Sequence, residues 1–180
     1  MRKILVCVDM QNDFIDGVLG NDECRSIVSN VADKINNFNG NEIYYTLDTH
    51  QKNYMETQEG KKLPVEHCIE NTDGWTLNKE VGNAIKETKL PVVEIRKPTF
   101  GSIALANELM FKFEENDVFE IEFIGVCTDI CVISNAMLVK AFFPEAKVVV
   151  DALCCAGVTP ESHKNALEAM KMCQIEIING

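Results

Sequence analysis

Positive charge is scarce in this sequence. Lys and Arg number 17 against 28 Asp and Glu, the formal net charge is −11 and the pI is about 4.7. No cluster of basic residues stands out, which sets nucleic acid aside as a partner. Long apolar runs are also missing. No segment approaches the roughly 18 consecutive apolar residues of a membrane helix, so no membrane partner is expected. The opening "MRKILVCVDMQNDF" is interrupted by Asp9 and has neither a long apolar stretch nor a small-residue cleavage site. It does not read as a signal peptide. Repeats, low-complexity tracts and linkers are absent, and 180 residues suit a single domain, 1–180. No Gly-x-Gly-x-x-Gly follows the first apolar run, which weighs against a nucleotide-binding module. Cysteine, by contrast, is plentiful at eight residues. Without an export signal these read as free thiols in a reducing compartment, and the cytoplasm is the expected location.

Apolar runs alternate with segments of helical period. "KILVCVD" at 3–9 is nearly continuous, as a strand buried on both faces should be. Further strands are expected at 42–48, 91–97, 118–126, 146–152 and 174–179, with helices at 22–38, 102–115, 129–142 and 160–172. Thr159-Pro160 marks the last helix start, with Pro at its first position. The alternation predicts an α/β fold: three layers, α-β-α, around a six-stranded, mostly parallel sheet. One stretch breaks the pattern. Residues 49–75, "THQKNYMETQEGKKLPVEHCIENTDGW", show no period yet hold two of the three histidines. Loops this long inside a compact domain tend to be functional.

In an open α/β sheet, ligands bind beyond the carboxyl ends of the strands. The strand ends here carry Asp9, Asp48 with His50 just beyond, Lys97, and the segment "GVCTDICV" at 125–132. With Thr128 as N-cap, Cys131 falls in a first helical turn, where the helix dipole favours a thiolate. Lys97 can supply a cation and Asp9 a proton acceptor, which together make an activated nucleophile. Local sequence alone favours core packing for this cysteine, because buried free cysteines are common. Cys127 reads as a small hydrophobe. Zinc would want a second ligand pair, and a redox pair would more usually be spaced Cys-x-x-Cys. Asp48, His50 and His67 can form an open metal site, although each histidine taken alone reads as a solvated loop residue. His163, early in the last helix, reads as a surface or capping residue, Cys154-Cys155 as reduced core thiols, and Trp75 as packing.

Taken in order, "DMQNDF" (9–14), "DTH" (48–50), "LPVEHCIENTDGW" (63–75), "RKPTFGS" (96–102) and "GVCTDICV" resemble the isochorismatase-like cysteine hydrolases, and within them the nicotinamidase branch. The resemblance spans nearly the whole chain and implies a Rossmann-like α/β fold. It implies a catalytic triad of Asp9, Lys97 and Cys131, and a divalent ion held by Asp48, His50 and His67. Zinc is the expected ion, with iron or manganese as alternatives and Glu59 as a candidate further ligand. It also implies a cis peptide bond between Val126 and Cys127, with the backbone N–H groups of Cys127 and Cys131 as the oxyanion hole. Where nicotinamidases often carry an aromatic residue, this chain has Pro64, so the ring clamp is either missing or supplied by Phe14, Leu63 or Trp75, with Phe14 and Leu63 the expected pocket residues.

The implied activity is hydrolysis of a small carboxamide through an acyl-thioester, with nicotinamide as the first candidate substrate and a homo-oligomer as the expected assembly. The alternatives are a ureido or carbamoyl amide, a vinyl ether, or a non-enzymatic nucleotide-binding module.

Overall fold

Along the first apolar run, successive side chains face opposite sides, and this sets the architecture. Strand β1 (Arg2–Val8) sends Ile4, Val6 and Val8 into one buried cluster and Leu5 and Cys7 into another. That is the period-two alternation of a pleated strand with both faces covered. The computed structural model describes residues 1–114 and 117–180. After β1 come helices α1 (Asn12–Ile15), α2 (Asp22–Ser26) and α3 (Val28–Asn37), then strand β2 (Glu42–Asp48). Helices α4 (Gln58–Lys62) and α5 (Lys79–Glu87) lead to strand β3 (Val92–Lys97), and helix α6 (Ile103–Met110) leads to strand β4 (Phe119–Val126). Helix α7 (Ile133–Phe142), strand β5 (Lys147–Ala156), helix α8 (Pro160–Met172) and strand β6 (Glu176–Ile178) complete the order.

The strands lie in the order β3-β2-β1-β4-β5-β6, and every pairing is parallel. The sheet expected as mostly parallel is parallel throughout. Helices α3 and α5 bury Val31, Ile35, Val81 and Ile85 against one face, and α6 to α8 bury Leu105, Val139 and Met170 against the other. The cluster under α6 to α8 includes a Phe113–Phe119 stack with ring centroids 4.1 Å apart. Such a pair adds about 0.5–1.5 kcal/mol beyond its buried area.

Several element ends differ from the sequence expectation. The helix expected over 22–38 is two helices with a bend at Ile27. Ile27 and Val28 are both buried, so the apolar stripe runs through the bend and hides it. Helix α6 stops at Met110; the next residue, Phe111, is 88% exposed and packs on nothing that would prolong the stripe. Glu115, the last residue expected in that helix, lies outside the described residues. Strand β5 runs on to Ala156, because a register shift lets Cys155 and Ala156 pair with Gly125 and Val126. Helix α5 was not singled out by the sequence reading, although Asn78 caps it and Val81, Ala84 and Ile85 mark its buried face.

The segment after β4 departs most. Thr128–Val132 form one wide turn ahead of α7, with the Val132 N–H reaching five residues back to the Cys127 carbonyl at 3.0 Å. This is a π-type turn, a feature that clusters at functional sites. Cys127 rather than Thr128 is its N-cap. The Val126–Cys127 peptide bond is cis.

Candidate active site

Strand order reverses between β1 and β4: the chain builds outward from β1 through β2 to β3, then returns to add β4 on the other side. The crevice beyond the carboxyl ends of these two strands is where such folds bind ligands. Gly125 lets β4 run close beside β1 there. Its φ is +112°, and a Cβ would lie 2.1 Å from the Val8 carbonyl oxygen. No other residue type fits that combination.

Asp9, Lys97 and Cys131 meet in this crevice. Lys97 Nζ lies 2.6 Å from Asp9 Oδ2 and 3.5 Å from Cys131 Sγ. All three side chains are buried, with Asp9 and Lys97 1% exposed or less. Asp9 has φ 48°, in the left-handed region that Asp tolerates better than most residues. Its N–H is anchored on Thr46, whose hydroxyl donates to Asp9 Oδ1 at 2.5 Å. Oδ2 takes the Lys97 ammonium in an ion pair and has no other partner among the described residues, so it keeps a second lone pair. That leaves Oδ2 available to a thiol proton.

The charges in this cluster are unbalanced in a useful way. Burial opposes the Lys97 charge, yet Asp9, Cys131 and Asp48 together hold its pKa above the ordinary value. Burial lifts the Asp9 carboxyl above the usual carboxylate range, although Lys97 pulls it back. Burial and the Asp9 charge lift the Cys131 thiol well above its ordinary value, again against Lys97. One ammonium therefore faces several acidic groups, and burial disfavours charge on both Asp9 and Cys131.

Asp48 is paired in register with Lys97 at the ends of β2 and β3, and its Oδ1 lies 3.5 Å from Lys97 Nζ. Its other oxygen, Oδ2, is 3.0 Å from His50 Nε2 and 3.5 Å from His67 Nε2. One ligand atom from each of Asp48, His50 and His67 falls within 4.8 Å of the others. Glu59 Oε1 stands 3.7 Å from both imidazole Nε2 atoms. His67 Nδ1 is 2.8 Å from the Val65 carbonyl, which fixes a proton on Nδ1; the neutral ring then offers its Nε2 lone pair to the cluster, and the imidazolium donates Nε2–H to Asp48 instead. Burial disfavours a charge on Asp48, but hydrogen bonds from His50 and His67 outweigh it and hold the carboxyl well below the usual range. For His67, burial is likewise outweighed, chiefly by Asp48, and the imidazole rises above its ordinary value. A carboxylate and two converging imidazoles, one with its tautomer fixed from behind, fit a divalent ion and leave positions open.

A cavity of about 260 Å³ opens onto both groups. Asp48, Glu59, His67 and Cys131 all line it, while Phe14, Leu63, Phe100 and Ile130 make it largely apolar. Phe14 packs on His67 with ring centroids 5.7 Å apart. Trp75 faces a different cavity; its Nε1–H donates to Thr49 Oγ1 at 2.9 Å, and Arg96 lies over its ring.

A family model described as the isochorismatase domain matches residues 3–179. The chain belongs to the isochorismatase family. The uncharacterized isochorismatase family protein PncA of Bacillus subtilis (strain 168) is 31% identical over 173 residues, which cover 93% of each chain. The crystal structure of nicotinamidase PncA from Bacillus subtilis superposes with a TM-score of 0.82 at 25% identity, over 98% of this chain and 99% of that one. A pyrazinamidase of Pyrococcus horikoshii, solved in complex with zinc, shares the fold with a TM-score of 0.75 at 23% identity over the full length of both chains.

Some residues of this family member that shape the crevice were missed by the sequence reading. Gln11, fully buried, takes the Asp48 N–H at 2.7 Å and returns its own Nε2–H to the Asp48 carbonyl at 2.9 Å and the Trp75 carbonyl at 2.8 Å. Asp13 Oδ2 accepts the Cys68 N–H at 2.7 Å, one residue beyond His67. Both belong to "DMQNDF", which carried the signal. His163, read as a surface or capping residue, is half-buried and lies 2.8 Å from Thr128 Oγ1.

Proposed function

We propose that this chain is a cysteine amidohydrolase that converts nicotinamide to nicotinate and ammonia, with Asp9, Lys97 and Cys131 as its catalytic residues. The observation that carries the reading is the buried Lys97 ammonium 2.6 Å from Asp9 and 3.5 Å from Cys131, beside a small apolar cavity. The nicotinamidase and pyrazinamidase relatives support the amide class.

Asp9 Oδ2 takes the Cys131 proton, and the thiolate adds to the carboxamide carbon. The backbone N–H groups of Cys127 and Cys131 receive the oxyanion, each well-placed donor contributing about 3–4 kcal/mol. Protonated Asp9 passes its proton to the departing nitrogen, the C–N bond breaks and ammonia leaves. Asp9 then takes a proton from water, whose oxygen attacks the thioester. The C–S bond breaks, the acid forms, and the proton returns to Cys131. Throughout, Lys97 keeps its charge and prevents the thiolate and carboxylate from repelling each other. Phe14 and Leu63 flank the substrate ring. Asp48, His50 and His67 would hold a divalent ion, which we take to be zinc, with Glu59 close enough to join them. Bound there, a divalent ion would supply Lewis acidity beside the cavity.

Purified protein incubated with nicotinamide is expected to release ammonia stoichiometrically with nicotinate, and Cys131→Ala to lose at least about a thousandfold in kcat. Full activity in Cys131→Ala, or turnover of ureido compounds but not of nicotinamide, would overturn the assignment.

A further inference from the structure

Between Lys97 and helix α6, residues 98–102 form a loop that carries Phe100 to the cavity. Phe100 is 47% exposed and, among the described residues, joins neither buried cluster. Core packing therefore does not fix this aromatic side chain; the backbone beneath it has to. That backbone is held by Asn135, a fully buried residue four positions beyond Cys131. The Ser102 N–H donates to Asn135 Oδ1 at 2.9 Å, and Asn135 Nδ2 donates to the Phe100 carbonyl at 3.0 Å. Nδ2 also donates to the Cys131 carbonyl, at 2.7 Å.

One side chain thus bridges the loop and the turn of the nucleophile, with both amide hydrogens and the amide oxygen in use. The two segments are close enough to need it. A Cβ on Gly101 would lie 3.3 Å from the Ser134 carbonyl oxygen, so the loop rests against the start of α7. Ser102 caps α6, its Oγ accepting the Leu105 N–H at 3.1 Å. The loop is therefore fixed to β3 at one end and to α6 at the other, and Asn135 ties Phe100 between them to the Cys131 turn.

We propose that Asn135 is a positioning residue: by bridging the loop to the Cys131 turn it holds Phe100 as an aromatic wall of the cavity, and so sets the affinity for a ring-bearing carboxamide. The substrate half of this inference rests on the amidohydrolase reading, while the bridge does not. In Asn135→Ala the loop is released. Exchange of the Ser102 amide proton with solvent, followed by NMR without substrate, is expected to quicken about tenfold or more. KM for nicotinamide is expected to rise about threefold to tenfold, the scale of one aromatic contact, with kcat within about threefold of the parent. Phe100→Ala raises KM by a similar factor and leaves Ser102 exchange unchanged. In Asn135→Ala/Phe100→Ala, KM rises no further, because both changes remove the same wall.

Thermal unfolding is followed for each variant. If Asn135→Ala does not fold, Asn135→Ser carries the comparison: its hydroxyl bonds back to the Cys131 carbonyl four residues earlier but is too short to serve the loop. Unchanged Ser102 exchange, a fall in kcat with KM unchanged, or KM effects that add in the double variant would each overturn the proposal. A parent protein that leaves nicotinamide intact, with Ser102 exchange still quickened in the Asn135 variant, sinks the amidohydrolase reading and leaves the bridge standing.

Discussion

At the scale of single residues, the chemistry was legible where a side chain's type is itself the signal. Asp9, Asp48 and Lys97 could be read as strand-end residues because charged groups at the ends of apolar runs are out of place unless they are used. Gln11 carried no such mark. Its work is done on backbone, and a glutamine that bonds backbone looks like any other polar residue in sequence. The structure gives it three bonds of 2.7–2.9 Å: the N–H and carbonyl of Asp48 and the carbonyl of Trp75. Gln11→Leu is nearly the same size and would leave those three groups without partners at a buried position. Each unsatisfied group costs about 1–3 kcal/mol, so a loss of roughly 3 kcal/mol or more is expected in urea unfolding with chelator present. A change below about 1 kcal/mol would mean that the clamp on Asp48 is not needed for stability. The same logic applies to His163: helical spacing places it near a cap, and only the fold brings Thr128 to it.

At the scale of elements, helix α8 was readable to the residue. Thr159 and Ser162 satisfy each other's backbone N–H groups, and Pro160 follows the cap. These are local signals, written in adjacent positions. The bend at Ile27 and the wide turn at Thr128–Val132 were not readable, because tertiary packing decides them. The packing of α3 on the sheet adds an ionic element with the same property. Lys34 on α3 reaches Glu122 of β4 at 2.7 Å and Asp151 of β5 at 2.6 Å. Burial opposes the Asp151 charge, but hydrogen bonds from Lys34 and Asn179 overcome it and hold the carboxyl below the usual carboxylate range. A carboxyl lowered on folding stabilises the protein above its unfolded pKa of about 3.9 and loses that contribution as pH falls through the folded value. Lys34, raised on folding, stays charged through neutral pH and gives its contribution up only in strong base. Lys34→Met should therefore destabilise most near pH 7, by about 1–3 kcal/mol after allowance for the partly exposed lysine. The gap to the parent should narrow as pH drops from about 5 towards 3. Urea unfolding at several pH values measures it, and a gap that is constant with pH would show that Asp151 is not the partner that matters.

At the scale of the whole molecule, the candidate site is assembled from parts that touch nowhere else in sequence: the ends of β1, β2 and β3, the turn after β4, and the loop that brings His67. No helix among the described residues is long and apolar enough to cross a membrane, and the apolar surface buried on both sides of the sheet accounts for the hydrophobic runs instead. The loop is the weakest part of this assembly, since residues 49–75 contain only α4 and the short turn Tyr54–Glu56 as regular structure. An ion held by Asp48 and His50 at the end of β2 and by His67 in the loop would fasten the loop to the sheet. Its free energy of binding would then be free energy of folding. At a free ion concentration of one hundred times Kd the gain is about 2.7 kcal/mol. For a chain of this length each kcal/mol moves the unfolding midpoint by about 2–4 °C. Chelation of the purified protein is thus expected to lower Tm by roughly 5–10 °C, and added zinc to restore it. His67→Ala should begin with a lower Tm and respond little to either treatment, because it removes one of the two imidazoles and the ligand that ties the loop to the ion. Equal sensitivity to chelator in the parent and in His67→Ala would place the ion elsewhere and leave Asp48, His50 and His67 as a hydrogen-bonded cluster in which Asp48 and the two imidazoles serve each other alone.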